Sequence, residues 1–373
     1  MPTGIQLMST ITREGQLQLA THQSELPGPG EGQVLIRIEA APINPSDMWP
    51  LFGPADLRAA EVSSSDSGAS LTAPVDASFL PMVHARLDQT LPVGNEGAGV
   101  VIEAGAGAEH LIGKTVSLSH GASYAQFACV PAQLCLVHNE GTTPAQAASS
   151  FVNPLTALGM VETMRLEGHT ALVHTAAASN LGQMLNKICL ADGVDLINIV
   201  RSAEQVELLQ SQGAKIVLDS STADFKQQLF GALDTTGATL AFDAVGGGQL
   251  ASDILAVMEQ VLSKDASGLN TYGSEAHKQV YLYGMLDTGP TVLNRSYGMS
   301  WGVGGWLLPR FLQRIGLQRA GELQQRVADE ITTTFASHFT DELSLTEMLE
   351  PANIGRYVAK KTGEKFLVNP HKS

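Results

Sequence analysis

Through the first 150 residues, short apolar runs recur between turn residues: "GQVLIRIEAAPI", "GAGVVIEAG", "KTVSLS" and "YAQFACV", separated by Gly, Pro and Asn. Runs of this length, bounded this way, predict strands, and together a compact, mostly β domain over 1–152. From about residue 153 the pattern changes. "TALVHTA", "VDLINIVRS", "AKIVLDS", "TLAFDAVGG" and "VYLYGML" read as buried strands, alternating with helix-length amphipathic stretches such as the one from Leu181 and "AEQVELLQSQ". Strand and helix in alternation predict βαβ units, so 153–302 is expected to be a doubly wound parallel sheet and the fold class α/β. Beyond 302 come a helical segment, "WLLPRFLQRIG" with "ELQQRVADEITTTFASHF", and a strand-like "EKFLVNP". The tail 303–373 is expected to return to the first domain, leaving a cleft between the two. Residues 54–80, rich in Ser, Ala and Asp with little periodicity, predict a surface loop or flexible insertion, either a lid or a solvated loop without function.

Composition narrows the partners. With 373 residues, 44% of them hydrophobic, the chain can bury a large core, and its length favours two domains. A formal net charge of -15 and a pI near 5.0 leave no basic face to neutralise a phosphate backbone, so no nucleic-acid partner is expected. Neither a signal-peptide run nor a membrane-spanning stretch is read, and the protein is expected to be cytoplasmic without membrane contact. Cys129, Cys135 and Cys189 form no CxxC pair and predict reduced thiols rather than a disulfide framework or a four-cysteine metal site.

The strongest chemical signal is "ALVHTAAASNLGQMLNKICLADGVDLINIVRS". An apolar strand enters a turn of small residues, Gly182 opens a helix, and a second strand ends at Arg201. Small residues let backbone N–H groups approach a pyrophosphate, and a helix N-terminus favours negative charge there. The GxGxxG pattern is reduced to Gly182, with Ser179 and Asn180 at the expected tight positions; Asn tolerates positive φ, and both side chains can donate to phosphate. Leu181 completes the turn. Arg201 lies 19 positions after Gly182 (201 minus 182), where an NAD-binding sheet carries an acid for the ribose 2'-hydroxyl. A guanidinium beside Ser202 suits a 2'-phosphate instead, so the expected cofactor is NADPH. The alternative is an exposed arginine that merely ends a strand.

"NPSD" at 44–47, "VGNEGAGVV" at 93–101, "VNPLTALGM" at 152–160, "TAAASNLGQ" at 175–183, "FDAVGG" at 242–247, "YLYG" at 281–284 and "TGEKFLVNP" at 362–370 occur in the order of the medium-chain dehydrogenase/reductase superfamily. The chain resembles its zinc-independent NADPH:quinone oxidoreductase branch, and more distantly its 2-enoyl thioester reductases. The resemblance implies a GroES-like, mostly β substrate domain, a Rossmann cofactor domain and often a homodimer through the cofactor domains. It also implies that Asn44, Asn153 and Thr156 lie beside the nicotinamide, that the backbone from Tyr283 through Gly284 to Met285 passes its carboxamide, and that Asp243 orients the Val245–Gly246 loop around the adenosine.

Where the zinc branch has a catalytic cysteine and histidine, this chain has Asn44 and Asn95. Carboxamides are poor zinc ligands, so no metal is expected. What remains is hydride transfer to an acceptor that is already electrophilic, a quinone or an α,β-unsaturated carbonyl. Tyr124 is a candidate proton donor or substrate contact, with a buried core tyrosine as the alternative, and Asn44 stands equally as the cap of a turn. Asp47 and Glu96 are expected to make structural hydrogen bonds. Trp49 and Phe52 are candidates to stack on a planar acceptor, with core packing as the alternative. The stretch "MWPLFGPADL" lacks the tyrosine that the enoyl thioester reductases carry there, and no basic patch for coenzyme A is evident. A third reading is a cofactor-binding sensor without turnover.

Overall fold

The run Gln33–Pro42 buries Val34, Leu35, Ile36, Ile38, Ala40 and Ala41, leaving only Arg37 exposed, as a strand covered on both faces must. In the computed structural model, which describes residues 3–65, 68–268 and 271–372, this strand organises a β-rich unit built from residues up to Val152 together with those from Gln324 onward. Among the described residues it pairs antiparallel with Gly97–Ala104, Phe127–Pro131 and Phe366–Val368, within a seven-stranded sheet that Leu136–Val137, Thr115–Leu118 and Asp341–Leu343 extend. Phe366–Val368 thus pairs within the first unit. Thr3–Ile11 and Gln16–Glu25 form an antiparallel hairpin at the centre of a separate five-stranded sheet. Leu7, Ile11, Leu17, Leu19 and Leu71 pack its inner face against Leu51, Phe52, Tyr124 and Tyr357.

The segment 54–80 corrects the loop expectation. Glu61–Ser65 and Gly68–Pro74 pair antiparallel, and the second of them continues onto Gln16–Ala20, so the segment adds two strands to the five-stranded sheet; residues 66 and 67 lie outside the described residues. Ala69, Leu71 and Ala73 point into the core on alternate positions. Alanine at two of these three inward positions, between serine and threonine, leaves the alternation real but too weakly apolar to read.

The second unit runs from Asn153 to Leu323. Six parallel strands lie in the order Ile216–Asp219, Asp195–Val200, Ala171–His174, Leu240–Asp243, Lys278–Leu282 and Trp301–Gly305. In chain order this is 3-2-1-4-5-6, the doubly wound arrangement, and the order reverses between Ala171–His174 and Leu240–Asp243. The helices Asn180–Asp192, Ala203–Ser211, Phe225–Thr236 and Leu250–Ser263 connect the strands, and Val173, Ile197, Ile199, Leu229, Ile254 and Val280 lie in the common core. The unit extends past the expected boundary at 302. Trp301–Gly305 is its sixth strand, hidden in sequence by three glycines, and Trp306 follows with Nε1 donating to Thr163 at 3.1 Å and its ring packed on Phe311. Gly159 admits that indole, since a Cβ there would lie 2.8 Å from it.

Candidate functional site

In the parallel unit, Ala171–His174 enters the turn, and the Ala177 amide donates to the Ile199 carbonyl at 3.1 Å, drawing the turn over the end of the second strand. Ser179 is the N-cap of the helix Asn180–Asp192, its Oγ accepting from the Gly182 amide at 3.1 Å. The oxygen expected to face phosphate therefore serves first as a cap. The left-handed position is not Asn180, which is helical, but Ala176 with φ 50°. Gly182 is required by packing: a Cβ there would lie 2.2 Å from the Ala177 carbonyl oxygen, so only glycine lets helix and turn approach this closely. Leu181 is buried beside it.

Arg201 follows the second strand directly. It is exposed, its amide donates to Gln205 Oε1 at 3.1 Å, and among the described residues no carboxylate pairs with its guanidinium. Ser202, half-buried, is the N-cap residue of the next helix and hydrogen-bonds the Glu204 carboxyl, which it holds below its usual range.

Across the switch point Asp243 fixes the neighbouring loop. Its carboxylate accepts from Thr175 Oγ1 at 2.5 Å, from the Val245 amide at 2.9 Å and from the Gly246 amide at 3.1 Å, while the Ala244 amide donates to the same threonine. This orienting role was legible in "FDAVGG". Gly246, with φ 80°, and Gly284 permit the loop to close on 284–287, since a Cβ on either would lie within 2.8 Å of a carbonyl oxygen. Tyr283 turns its side chain inward: its hydroxyl meets His174 Nε2 at 2.7 Å, and burial, with the Asp243 charge, holds the phenol above its usual range. The same burial lowers His174 to about 3, a neutral partner that the sequence did not single out. Met285 is exposed, while Asn153 and Thr156 are buried near the start of the helix Val152–Leu166.

In the β-rich unit, Asn44, Asp47 and Glu96 form one buried polar cluster. Asn44 caps the short helix Pro45–Asp47 in a reciprocal box with Asp47, its amide donating to Asp47 Oδ2 at 2.8 Å, and its Nδ2 donates to Glu96 Oε1 at 2.8 Å. Glu96 Oε2 accepts the amides of Phe151 and Val152 at 2.7 and 3.0 Å. The carboxamide expected to lie beside a nicotinamide is thus committed to structural bonds, and Asp47 and Glu96 hold the roles expected of them. Burial pushes the Asp47 carboxyl up to about 7, and Glu96 upward as well. The cation facing them is Lys365, which burial lowers to about 8 against the pull of Glu96 and Asp47, and whose Nζ donates to Ser149 at 2.6 Å. Sequence reasoning missed Lys365; its signal was a lone lysine opening a buried strand.

Two substrate candidates are corrected here. Tyr124 is fully buried with its hydroxyl donating to the Pro42 carbonyl at 3.1 Å, and burial holds its phenol well above the usual range. It is a core tyrosine rather than an exposed proton donor. Phe52 is 2% exposed and stacks on Tyr357 with centroids 6.2 Å apart, so it is core as well. Trp49, at 45% exposure, remains on the surface. Asn95 donates its amide to Asp47 Oδ1 at 2.9 Å and its Nδ2 to Ser46 Oγ at 3.0 Å. Among the described residues no group of three His, Cys, Asp or Glu side chains is arranged to hold a metal, and no helix is long and apolar enough to cross a membrane.

No protein-family profile matches the chain. Among curated proteins it is 28% identical over 254 residues to the mitochondrial enoyl-[acyl-carrier-protein] reductase of Caenorhabditis elegans, covering 65% of this chain and 64% of that one. It is 27% identical over 240 residues to the phthioceranic/hydroxyphthioceranic acid synthase of Mycobacterium tuberculosis, where the match covers 63% of this chain but spans only 10% of the relative's length. Solved structures align over nearly their whole length. A putative NADPH:quinone reductase from Mesorhizobium loti gives a TM-score of 0.71 at 24% identity, covering 99% of both chains. One from Bacillus thuringiensis gives 0.74 at 16%, covering 100% of both. The ETR1P/NADP/crotonyl-CoA complex gives 0.65 at 18%, covering 99% of this chain and 100% of that one. The chain thus has the fold of the medium-chain dehydrogenase/reductase superfamily, a Rossmann unit joined to a GroES-like β unit, as the order of its motifs implies.

Proposed function

We propose that the protein is an NADPH-dependent reductase that passes hydride, without a catalytic metal, to a quinone or an α,β-unsaturated carbonyl. The observation that carries this reading is Arg201, unpaired by any carboxylate among the described residues, at the end of the strand following the glycine turn. A 2'-phosphate would find there the Arg201 guanidinium, where an acid at that position would repel it. The cradle fits a dinucleotide: the close approach that Gly182 allows and the helix N-terminus favour a pyrophosphate, and the Val245–Gly246 loop, which Asp243 fixes, is assigned to the adenosine. When bound, NADPH supplies the hydride. Asn153 and Thr156 are assigned to the nicotinamide side, with the backbone from Tyr283 to Met285 along its carboxamide, and Trp49 to the acceptor. Quinone reductases and an NADP complex among the structural neighbours support the cofactor assignment.

Reduction of a 2-enoyl thioester is the second reading, favoured by the nematode enoyl reductase among the relatives. The Rossmann sheet ends in the open edge strand Trp301–Gly305, which supports a homodimer through that edge. A cytoplasmic location is part of the same proposal. The test is NADPH oxidation, followed at the nicotinamide absorbance, with a planar quinone and a short 2-enoyl-CoA offered in parallel. Turnover of the quinone supports the first reading and preference for the enoyl-CoA the second. Tight NADPH binding without turnover of either would leave a cofactor-binding sensor.

A further inference from the structure

Along one side of the helix Asn180–Asp192 runs a seam of carboxamides. Gln183 and Asn186, one turn apart on the helix, face Gln212 and Asn198. Gln183 Nε2 donates to the Ala178 carbonyl at 2.9 Å, and its Oε1 accepts from Gln212 Nε2 at 2.7 Å. Asn198 Nδ2 donates to the Ile216 carbonyl at 3.3 Å and to Asn186 Oδ1 at 3.4 Å. These bonds fix which way every amide points. Reversing Asn198 would set its oxygen against the Ile216 carbonyl, and reversing Gln183 would set its oxygen against the Ala178 carbonyl. Reversing Asn186 alone would set nitrogen against nitrogen, and reversing Gln212 alone oxygen against oxygen.

With the orientations fixed, three buried atoms of the seam have no protein partner: Asn186 Nδ2, Asn198 Oδ1 and Gln212 Oε1. Asn186 is 2% exposed and Asn198 fully buried. Two facing carboxamides can close a reciprocal pair of hydrogen bonds. Here one arm is made, and long, while the other is open because the Ile216 carbonyl holds Asn198 to one side. Buried polar atoms left in this way are rare in folded proteins, and their usual partner is an ordered water. Asn186 also lines a cavity of about 10 Å³, with Cys189, Leu190, Val194, Leu196 and Lys215 around it, which is about the space that one water occupies. The lining selects what enters. Burial pushes the Cys189 thiol up to about 12, so it stays neutral, and among the described residues the lining holds no carboxylate, while Lys215 brings a positive charge. A cation would find no anionic ligand there, and an anion would meet the Asn198 oxygen. A neutral molecule that both accepts and donates answers the open arm.

We infer that Asn186 and Asn198 bind one internal water, which accepts a hydrogen bond from Asn186 Nδ2 and donates one to Asn198 Oδ1. Gln212 Oε1 continues the same unmet demand for a donor along the seam. The site lies wholly within the parallel unit and stands apart from the proposed reaction. Its position gives it weight. The helix it touches begins at the glycine turn, and the strand it touches ends at Val200, one residue before Arg201. Helix and strand are therefore spaced at this point by a hydrated contact rather than by apolar packing.

The experiment joins two measurements on the full-length protein. In the nitrogen-15-labelled parent, the Asn186 side-chain amide protons should show a cross-relaxation peak to water, of the sign that marks a long-lived water. By oxygen-17 magnetic relaxation dispersion, the double variant Asn186→Leu/Asn198→Val, which replaces both amides with apolar side chains, should hold one fewer long-lived water per chain than the parent. A parent without the cross-relaxation peak would overturn the site, whether or not the variant folds. A dispersion amplitude unchanged in a variant that circular dichroism shows to be folded would overturn it as well. So would a parent amplitude that falls as NaCl or KCl is added, since a cation would then hold the place assigned to water.

Discussion

Replacing Glu259 with Gln tests whether one buried ion pair holds the far side of the cofactor sheet. Lys278 is fully buried at the start of the strand that leads to Tyr283–Met285, and its Nζ lies 2.7 Å from Glu259 Oε2, 2.8 Å from Ser274 Oγ and 3.0 Å from the Ala276 carbonyl. Burial would raise the Glu259 carboxyl, but hydrogen bonds from Lys278, Ser263 and Ser274 outweigh it and hold the group at about 2, against 4.5 in the free residue. At about 1.4 kcal/mol per pH unit, that difference is worth about 3 kcal/mol to the folded state at neutral pH. Glutamine leaves the lysine charge buried with two neutral oxygens, a change that costs about 3–5 kcal/mol when a buried pair loses one partner. The two routes agree. Because the folded-state pKa is depressed, the stability is present above 4.5 and lost as pH falls through about 2. Urea unfolding followed by tryptophan fluorescence should therefore show Glu259→Gln less stable by about 3 kcal/mol at pH 7, the gap falling to about half or less by pH 3. A gap under about 1 kcal/mol, or one that does not change with pH, would refute the reasoning.

Arg201→Ala should weaken NADPH by about 10- to 100-fold in a fluorescence titration, the worth of charge-assisted hydrogen bonds, and leave NADH nearly unchanged; equal loss for both would remove the 2'-phosphate assignment. Gly182→Ala places a methyl 2.2 Å from the Ala177 carbonyl oxygen, so both Tm and NADPH affinity should fall, and a variant matching the parent in both would show that the turn yields. Tyr124→Phe removes one buried hydrogen bond, and about 1 kcal/mol of stability should be lost with kcat unchanged. A large fall in kcat at unchanged stability would return Tyr124 to the chemistry.

The parallel unit was legible because its strands are buried on both faces and read as continuous apolar runs: "TALVHTA", "VDLINIVRS" and "TLAFDAVGG" all appear where expected. The glycine turn and Asp243 were legible for the same local reason, each acting on backbone within a few residues. Long-range pairings were not. Nothing near Lys365 in sequence announces Glu96, and Tyr283 gives no sign of His174 across two strands. The alternation of Gly68–Pro74 was masked by alanine, and Trp301–Gly305 by glycine, since neither supplies the side-chain bulk on which a period-two pattern depends. Tyr124 and Phe52 misled because an aromatic residue reads the same in sequence whether its ring faces a ligand or a core.

The buried carboxyl of Asp47 also sets a proton stoichiometry for folding. With its folded pKa near 7 and its free value at 3.8, the β-rich unit takes up a proton as it folds at intermediate pH, and that contribution to stability is lost as pH rises through about 7. Glu259 does the reverse, since its unit folds with release of a proton as the medium approaches pH 2 to 4.5. Mild acid therefore draws opposite responses from within one unit, since Asp47 gains there while the buried neutral imidazoles of His120 and His138, lowered to about 4, must be charged at a cost, whereas in the parallel sheet Glu259 and His174 both lose as the medium turns acid.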